Sequence, residues 1–213
     1  MAEVAVIDYG VGNLLSVQRA LEHCGATVCV TADPARIQRA GRVVLPGVGA
    51  FSDGMAALGA RHLDEVVRDV AASGQLLLGI CLGMQMMMDE SEEFGVTLGL
   101  SLIPGRVVPV PAFNTNGLPQ KIPHIGWSGL QRPDTRLSWN GSLLADTAQG
   151  EAAYFVHSFM ASPAFPSDLL AECHYGGQAI AAAIQRGNVS GCQFHPEKSG
   201  RVGLRMLRHF LQL

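Results

Sequence analysis

The chain has 213 residues, of which 48% are hydrophobic and 15% charged, and its formal net charge is −3. This composition excludes a disordered chain and argues against a nucleic-acid-binding protein, since both classes carry far more charge. No apolar run approaches the length of a membrane span, so a membrane protein is not expected either.

The first half of the chain alternates between predicted strands and helices. Mostly apolar stretches at residues 4–7, 27–30, 42–45 and 76–80 have the length of buried strands. Apolar residues recur at helical spacing after the first and third runs, and these helices stop at Gly25 and before Gly74. Repeated strand–helix units predict a mostly parallel sheet covered on both faces, with ligands bound at the carboxyl ends of its strands.

The second half has the short strands and frequent Pro and Gly of antiparallel structure. We predict strands at residues 154–159, 169–175, 179–184 and 189–194, with hairpin turns at Gly176-Gly177 and Gly187-Asn188. A last helix is expected after Ser199, which would cap it, and residues 131–151 are interpreted as a surface insertion. No repeat or linker divides the chain, so we predict one three-layer α/β domain over residues 1–213.

The five cysteines are an odd number, are scattered along the chain and lack metal-ligand spacing, as do the seven histidines. The first residues also lack the basic start of a secretory leader. We therefore expect a reduced, cytoplasmic protein without a metal site.

Cys81 has the most informative surroundings in the chain. The predicted strand at 76–80 leads directly into this cysteine, which has Gly79 and Gly83 two residues away on either side, and good helix formers follow. A strand, a glycine-bracketed turn with one nucleophilic side chain and a helix are the parts of a nucleophile elbow. A buried structural cysteine in an ordinary turn explains this stretch equally well when it is considered alone.

A base for such a thiol is present far downstream. His195 and Glu197 flank Pro196, so the carboxylate could orient the imidazole while the ring reaches another element. The segment Pro46-Gly47-Val48-Gly49 ends a predicted strand and could turn its N–H groups toward a developing oxyanion.

Gly10-Val11-Gly12 superficially resembles a dinucleotide-binding loop. The third glycine of that fingerprint would fall at position 15, which is Leu15. The pair of glycines is therefore interpreted as a turn, and no cofactor is expected.

Two motifs resemble those of the class I (triad) glutamine amidotransferases. They are Gly79-Ile-Cys81-Leu-Gly83-Met-Gln85 and His195-Pro-Glu197. Five further segments narrow the resemblance to the glutaminase subunit of imidazole glycerol phosphate synthases. They are Ile7-Asp-Tyr-Gly10-Val-Gly12-Asn13-Leu, Leu45-Pro-Gly-Val-Gly49-Ala-Phe51, Lys121-Ile-Pro-His124-Ile-Gly126-Trp127, Tyr154-Phe-Val-His157-Ser158-Phe159 and Phe194-His-Pro-Glu-Lys198-Ser199.

The resemblance implies a Cys-His-Glu triad that hydrolyses L-glutamine to glutamate and ammonia. Cys81 would attack the side-chain amide, His195 would transfer protons and Glu197 would orient His195. The oxyanion hole would take the N–H of Leu82 and a second donor from Val48 or Gly49.

Further positions carry family roles in substrate and partner binding. Gln85, Ser158 and Phe159 would contact glutamine. Ammonia would pass to a separate barrel-shaped cyclase subunit, which makes imidazole glycerol phosphate and a purine precursor in histidine biosynthesis. The positions expected on the cyclase-binding face are Asn13, His124, Trp127, Tyr154 and Lys198.

Some features depart from the family pattern or have a plainer interpretation. Phe159 stands where a tyrosine is common, and Ser128 stands where asparagine is usual. Trp127 and Tyr154 could be half-buried core aromatics, His157 is interpreted as a structural histidine, and the acidic cluster at residues 89–93 is interpreted as a solvated helix end.

Two alternatives remain at this point. One is a glutaminase for an anthranilate or aminodeoxychorismate type of synthase, which the segments at residues 8–13 and 121–127 argue against. The other is a regulatory scaffold that binds a partner without turnover, which an intact Cys81, His195 and Glu197 argue against.

Overall fold

The computed structural model describes residues 3–213 and is organised around a central sheet. The strands are β1 (Glu3–Ile7), β2 (Thr27–Thr31), β3 (Arg42–Gly47), β4 (Leu76–Cys81), β5 (Glu90–Ser91), β6 (Thr97–Leu98), β7 (Gly105–Pro109), β8 (His124–Gly129), β9 (Ala152–His157), β10 (Phe159–Pro163), β11 (Leu169–Tyr175), β12 (Gln178–Arg186) and β13 (Val189–Cys192). The helices are α1 (Leu14–His23), α2 (Pro34–Arg39), α3 (Phe51–Gly59), α4 (Leu63–Ala72), α5 (Leu82–Met86) and α6 (Gly200–Phe210). Short 3₁₀ turns occur at Pro166–Asp168 and Pro196–Lys198.

The central sheet has seven strands in the order β11-β12-β13-β4-β3-β1-β2. The five strands from β13 to β2 are parallel, whereas β12 and β11 add antiparallel strands at one edge. The predicted fold class, a mostly parallel sheet with antiparallel strands from the C-terminal half, is confirmed. β4 and β13 lie side by side in this order, which brings two distant parts of the sequence together.

Alternate residues of the parallel strands enter two separate cores, as the two-residue period of a strand requires. Val44 and Leu78 face the core that α1 and α6 cover. Val43, Leu45 and Leu77 face the core that α2, α3 and α4 cover. The sheet is thus buried on both faces between helices, which confirms the predicted three layers.

The remaining strands form two smaller sheets beside the carboxyl ends of the central strands. One has the order β10-β7-β5-β6, and the other is the antiparallel pair β8–β9. The predicted strand at 154–159 is in fact two strands, β9 and β10, interrupted at Ser158. Both predicted glycine hairpin turns are confirmed, since β11–β12 and β12–β13 pair antiparallel across them.

Three expectations from the sequence were incomplete or wrong. The helices α2 and α3 were not predicted, and α6 begins after Ser199 without a side-chain cap from that residue. Residues 131–151 are not a surface insertion, because Trp139, Leu143 and Leu144 are buried in the core. The Trp139 indole donates a hydrogen bond to the carbonyl of Leu170 at 2.8 Å, which fixes this segment against β11.

Within residues 3–213, no helix combines the length and the apolar character needed to cross a membrane.

Candidate active site

Cys81 lies at the turn between β4 and α5. Its backbone has φ 55° and ψ −111°, a conformation that a residue with a side chain rarely adopts. A Cβ on Gly79 would lie 2.7 Å from the carbonyl oxygen of Gly83, and a Cβ on Gly83 would overlap the carbonyl of Leu45. Both bracketing positions therefore exclude any side chain, and the predicted strand–turn–helix elbow is confirmed.

His195 reaches Cys81 because of the sheet order. Cys192 of β13 is in register with Ile80 of β4, so the residues that follow the two parallel strands emerge together. His195 Nδ1 donates a hydrogen bond to Glu197 Oε1 at 2.8 Å. Both side chains are almost completely buried. The sheet thus brings Cys81, His195 and Glu197 to one place.

The second ring nitrogen of His195, Nε2, is positioned for proton transfer. His195 Nε2 is buried and has no hydrogen-bond partner among residues 3–213. A buried polar atom without a partner is costly, and such atoms concentrate at functional sites. The nitrogen is therefore available to take and return a proton.

The charge state of His195 depends on its two neighbours. Burial lowers the pKa of the imidazole, but the nearby sulfur of Cys81 and the carboxylate of Glu197 outweigh burial and raise the pKa to about 9. The environment thus favours an imidazolium, the form that must exist beside a thiolate.

A cavity of about 280 Å³ opens beside the thiol, large enough for a small amino acid. It brings together most of the predicted site residues. They are Val48, Gly49, Cys81, Leu82, Gln85, Ser158, Phe159 and His195. The segment before Gly49 packs closely on the elbow, since a Cβ on Gly47 would lie 2.9 Å from Leu82 Cβ. Gly49 itself has φ +98°, which favours glycine.

Two residues of the site were missed by sequence reasoning. Glu93 lines the cavity, and its Oε2 accepts a hydrogen bond from the N–H of Phe51 at 2.6 Å. The interpretation of residues 89–93 as a solvated helix end is thus wrong. Gln193 is fully buried, and its Nε2 lies 3.7 Å from Cys81 Sγ. In the sequence, only the position of Gln193 two residues before His195 indicated that it could lie at the site.

The residues expected on the partner face divide into two groups. Trp127 is 58% exposed, Lys198 is exposed, and Asn13 and Tyr154 are half-buried. His124 is 1% exposed and stacks on Phe155, so it contributes no surface, contrary to expectation. Trp127 and Tyr154 contact each other edge to face on the antiparallel pair β8–β9.

The geometry agrees with the comparisons to known proteins. The family model described as "Glutamine amidotransferase class-I" matches residues 5–213. The chain belongs to the class-I glutamine amidotransferase family. The resemblance recognised in the sequence is confirmed, and the chain is a glutamine-hydrolysing enzyme of that family.

Similar amidotransferase chains match over nearly the full length. A protein of Legionella pneumophila named "Imidazole glycerol phosphate synthase subunit HisH 1" is 50% identical over 213 residues, all of both chains. The subunit HisH of Halalkalibacterium halodurans is 44% identical over 207 residues, which are 97% of this chain and 94% of the relative.

Solved structures share the fold. A crystal structure of a glutamine amidotransferase has a TM-score of 0.70 at 17% identity, and the match covers 98% of this chain and 97% of that chain. The structure of PurLQS from Thermotoga maritima gives a TM-score of 0.70 at 19% identity, with 99% and 97% covered.

Proposed function

We propose that residues 1–213 form one glutaminase domain that serves as the glutaminase subunit of an imidazole glycerol phosphate synthase. The enzyme hydrolyses L-glutamine to glutamate and ammonia. The observation that carries the proposal is the meeting of Cys81, on its strained elbow, with the His195–Glu197 pair beside a cavity of amino-acid size.

The reaction follows from the roles that the geometry allows. His195 Nε2 takes the thiol proton, and Cys81 Sγ attacks the carbonyl carbon of the glutamine side chain. The imidazolium returns its proton to the leaving nitrogen, so that ammonia departs and a γ-glutamyl thioester remains. Water, deprotonated by His195, hydrolyses the thioester to glutamate. Glu197 keeps Nδ1–H bound throughout and so presents Nε2 to both steps.

The oxyanion of each tetrahedral intermediate needs N–H donors beside the thiol. Leu82 follows the nucleophile directly and supplies one of them. Val48 or Gly49 supplies the second, after a peptide of this glycine-containing segment turns toward the cavity. This reorientation predicts weak activity for the isolated subunit.

The ends of the substrate are held on the opposite side of the cavity. Ser158, between β9 and β10, and Phe159, the first residue of β10, contact the α-carboxylate and α-amino groups there. The Glu93 carboxylate faces the same space and has the charge that an α-ammonium group requires. Gln85 completes the contacts from α5.

Ammonia passes directly into a separate, barrel-shaped cyclase subunit that forms a heterodimer with this chain. Direct transfer keeps ammonia from becoming the non-nucleophilic ammonium ion in water. A cytoplasmic location is part of the proposal, and the free cysteines of the chain support it. Trp127, Tyr154, Asn13 and Lys198 form the proposed docking face, and the exposed indole of Trp127 suits an interface anchor.

Glutamate release tests the proposal. The isolated chain should release glutamate slowly, and addition of the cyclase subunit with its ribulosyl-linked aminoimidazole carboxamide ribonucleotide should accelerate release strongly. Cys81→Ala should abolish release under both conditions. Stimulation by a chorismate-using synthase instead of the cyclase would overturn the assignment of the partner, and equal rates with and without the cyclase and nucleotide would overturn the coupling.

A further inference from the structure

Gln193 is buried between the nucleophile and the glutamine-binding side of the cavity. Its side chain is fully enclosed, and its backbone N–H is held by the carbonyl of Ala182 at 2.8 Å on β12. The residue lies two positions before His195, so one short segment carries both groups toward Cys81. None of the proposed roles so far uses this amide.

The direction of the Gln193 amide is fixed by its neighbours. Gln85 Nε2 lies 2.9 Å from the backbone oxygen of Phe159, which can only accept a hydrogen bond. The second hydrogen of Gln85 Nε2 is donated to Gln193 Oε1 at 3.0 Å. The remaining end of Gln193, the Nε2 donor, therefore faces Cys81 Sγ at 3.7 Å.

We propose that Gln193 is a positioning residue. Its amide donates a hydrogen bond to the sulfur of Cys81 and, through Gln85, links that sulfur to the backbone carbonyl of Phe159 at the wall of the cavity. When His195 removes the thiol proton, the sulfur gains negative charge while an N–H donor already points at it. The same bridge holds Gln85 in place, so the nucleophile and one wall of the cavity are oriented together. The inference deepens the proposed function and rests on it.

Substitution of Gln193 by methionine separates this role from packing. Methionine is similar in length to glutamine but cannot donate a hydrogen bond. The rate at which iodoacetamide alkylates Cys81 should therefore fall about ten-fold or more, because that is the loss expected when a hydrogen bond to a charged group is removed. The kcat for glutamine, measured with the cyclase bound, should fall by a similar factor, and KM should change less. Alkylation is read at the Cys81 peptide by mass spectrometry, because the chain has four other free cysteines.

Gln75→Met is the matched control. This partly buried glutamine also donates its amide to two backbone carbonyls, of Ile37 and Ala40, but it lies at the opposite end of β4 from Cys81. Thermal unfolding of both variants reports the loss of stability. Only Gln193→Met should slow alkylation.

Gln193→Glu adds a second measurement, the pH dependence of alkylation, which a change in packing alone would not alter. A glutamate retains the acceptor for Gln85, but it can donate to sulfur only when it is protonated. The deficit in alkylation relative to the wild-type protein should therefore shrink as the pH is lowered. A deficit that is independent of pH, or wild-type alkylation in Gln193→Met, would overturn the positioning role. Absence of glutamate release from the wild-type complex would instead overturn the proposed function, and alkylation, which needs no glutamine, distinguishes the two failures.

Discussion

The backbone N–H of His195 donates a hydrogen bond to the carbonyl oxygen of Tyr154 at 2.9 Å. Ser199 closes the link from the other side, because its hydroxyl accepts from the N–H of Tyr154 at 2.9 Å and donates to the carbonyl of His195 at 2.7 Å. The position of the imidazole is thus tied to β9, the strand that carries part of the proposed docking face. A change in β9 on binding the cyclase would be transmitted directly to His195.

Removing the Ser199 hydroxyl should loosen this link. Ser199→Ala leaves two backbone groups without their partner, which should cost about 1–3 kcal/mol of unfolding free energy. The displaced imidazole should lower kcat about ten-fold or more. Ser190→Ala is the control, since Ser190 is also a buried serine but lies within β13, away from the link between His195 and Tyr154. Denaturant unfolding and glutamate release give the two readouts, and wild-type kcat in Ser199→Ala would show that the link is not needed.

Gly49→Ala tests the oxyanion segment. Gly49 and Gly25 have φ of +98° and +94°, and a Cβ at either position would meet no atom within 4 Å. Gly49→Ala and the control Gly25→Ala should therefore each lower the unfolding free energy only through backbone strain, by about 1–2 kcal/mol. Of the two variants, only Gly49→Ala should reduce glutamate release in the complex, because it restricts the peptide that is proposed to turn. Equal activity in the two variants would contradict that role.

His157 should make stability depend on pH. Burial lowers the pKa of His157 to about 4, and His124 and His195 act in the same direction against the hydrogen bond to Phe159, which raises it. Between a pH of about 6.5 and about 4, the unfolded chain binds a proton at this residue that the folded protein does not. The unfolding free energy should therefore fall as the pH is lowered through this range, by up to about 3 kcal/mol from His157.

Denaturant unfolding at several pH values compares the wild-type protein with His157→Gln. The variant should lose less stability on acidification than the wild type. His174→Gln, at an exposed position of β11, reports the effect of the substitution itself. Parallel pH curves for His157→Gln and the wild type would contradict the expected contribution.

Trp127→Ala should weaken binding of the cyclase while destabilising the isolated chain only slightly. The indole is 58% exposed but contacts Tyr154 edge to face, so its removal should lower the unfolding free energy by about 1 kcal/mol. The dissociation constant, measured by titration calorimetry, should rise about ten-fold or more if the indole anchors the interface. Leu137→Ala, at a residue that is 94% exposed, is the control for removal of a surface apolar group. Unchanged affinity in Trp127→Ala would place the docking face elsewhere.

The strands of the central sheet and the Cys81 elbow could be predicted because their signals are local. Mostly apolar stretches of four or five residues have the length of a buried strand and are too short for a helix. Glycines at fixed positions around a cysteine report a turn in which a Cβ has no room. Each signal lies within about ten residues of sequence.

Features that depend on distant partners could not be predicted. Gln193 has a defined role only because Gln85, from another element, presents its amide to it. His124 lies in the segment at residues 121–127, which was expected on the partner face, but it is buried because it stacks on Phe155 and Tyr175. Trp139 lies in a segment without regular secondary structure, so no periodicity could reveal that its indole is buried against β11.

Trapping the covalent intermediate tests the proposed role of Cys81 most directly. The complex with the cyclase is mixed with glutamine, quenched in acid during turnover and digested, and the cysteine peptides are analysed by mass spectrometry. A γ-glutamyl adduct should form on the Cys81 peptide, accumulate when deacylation is slowed and be absent from Cys81→Ala. Glutamate release by Cys81→Ala, or an adduct on another cysteine during turnover, would contradict the role of Cys81 as the nucleophile.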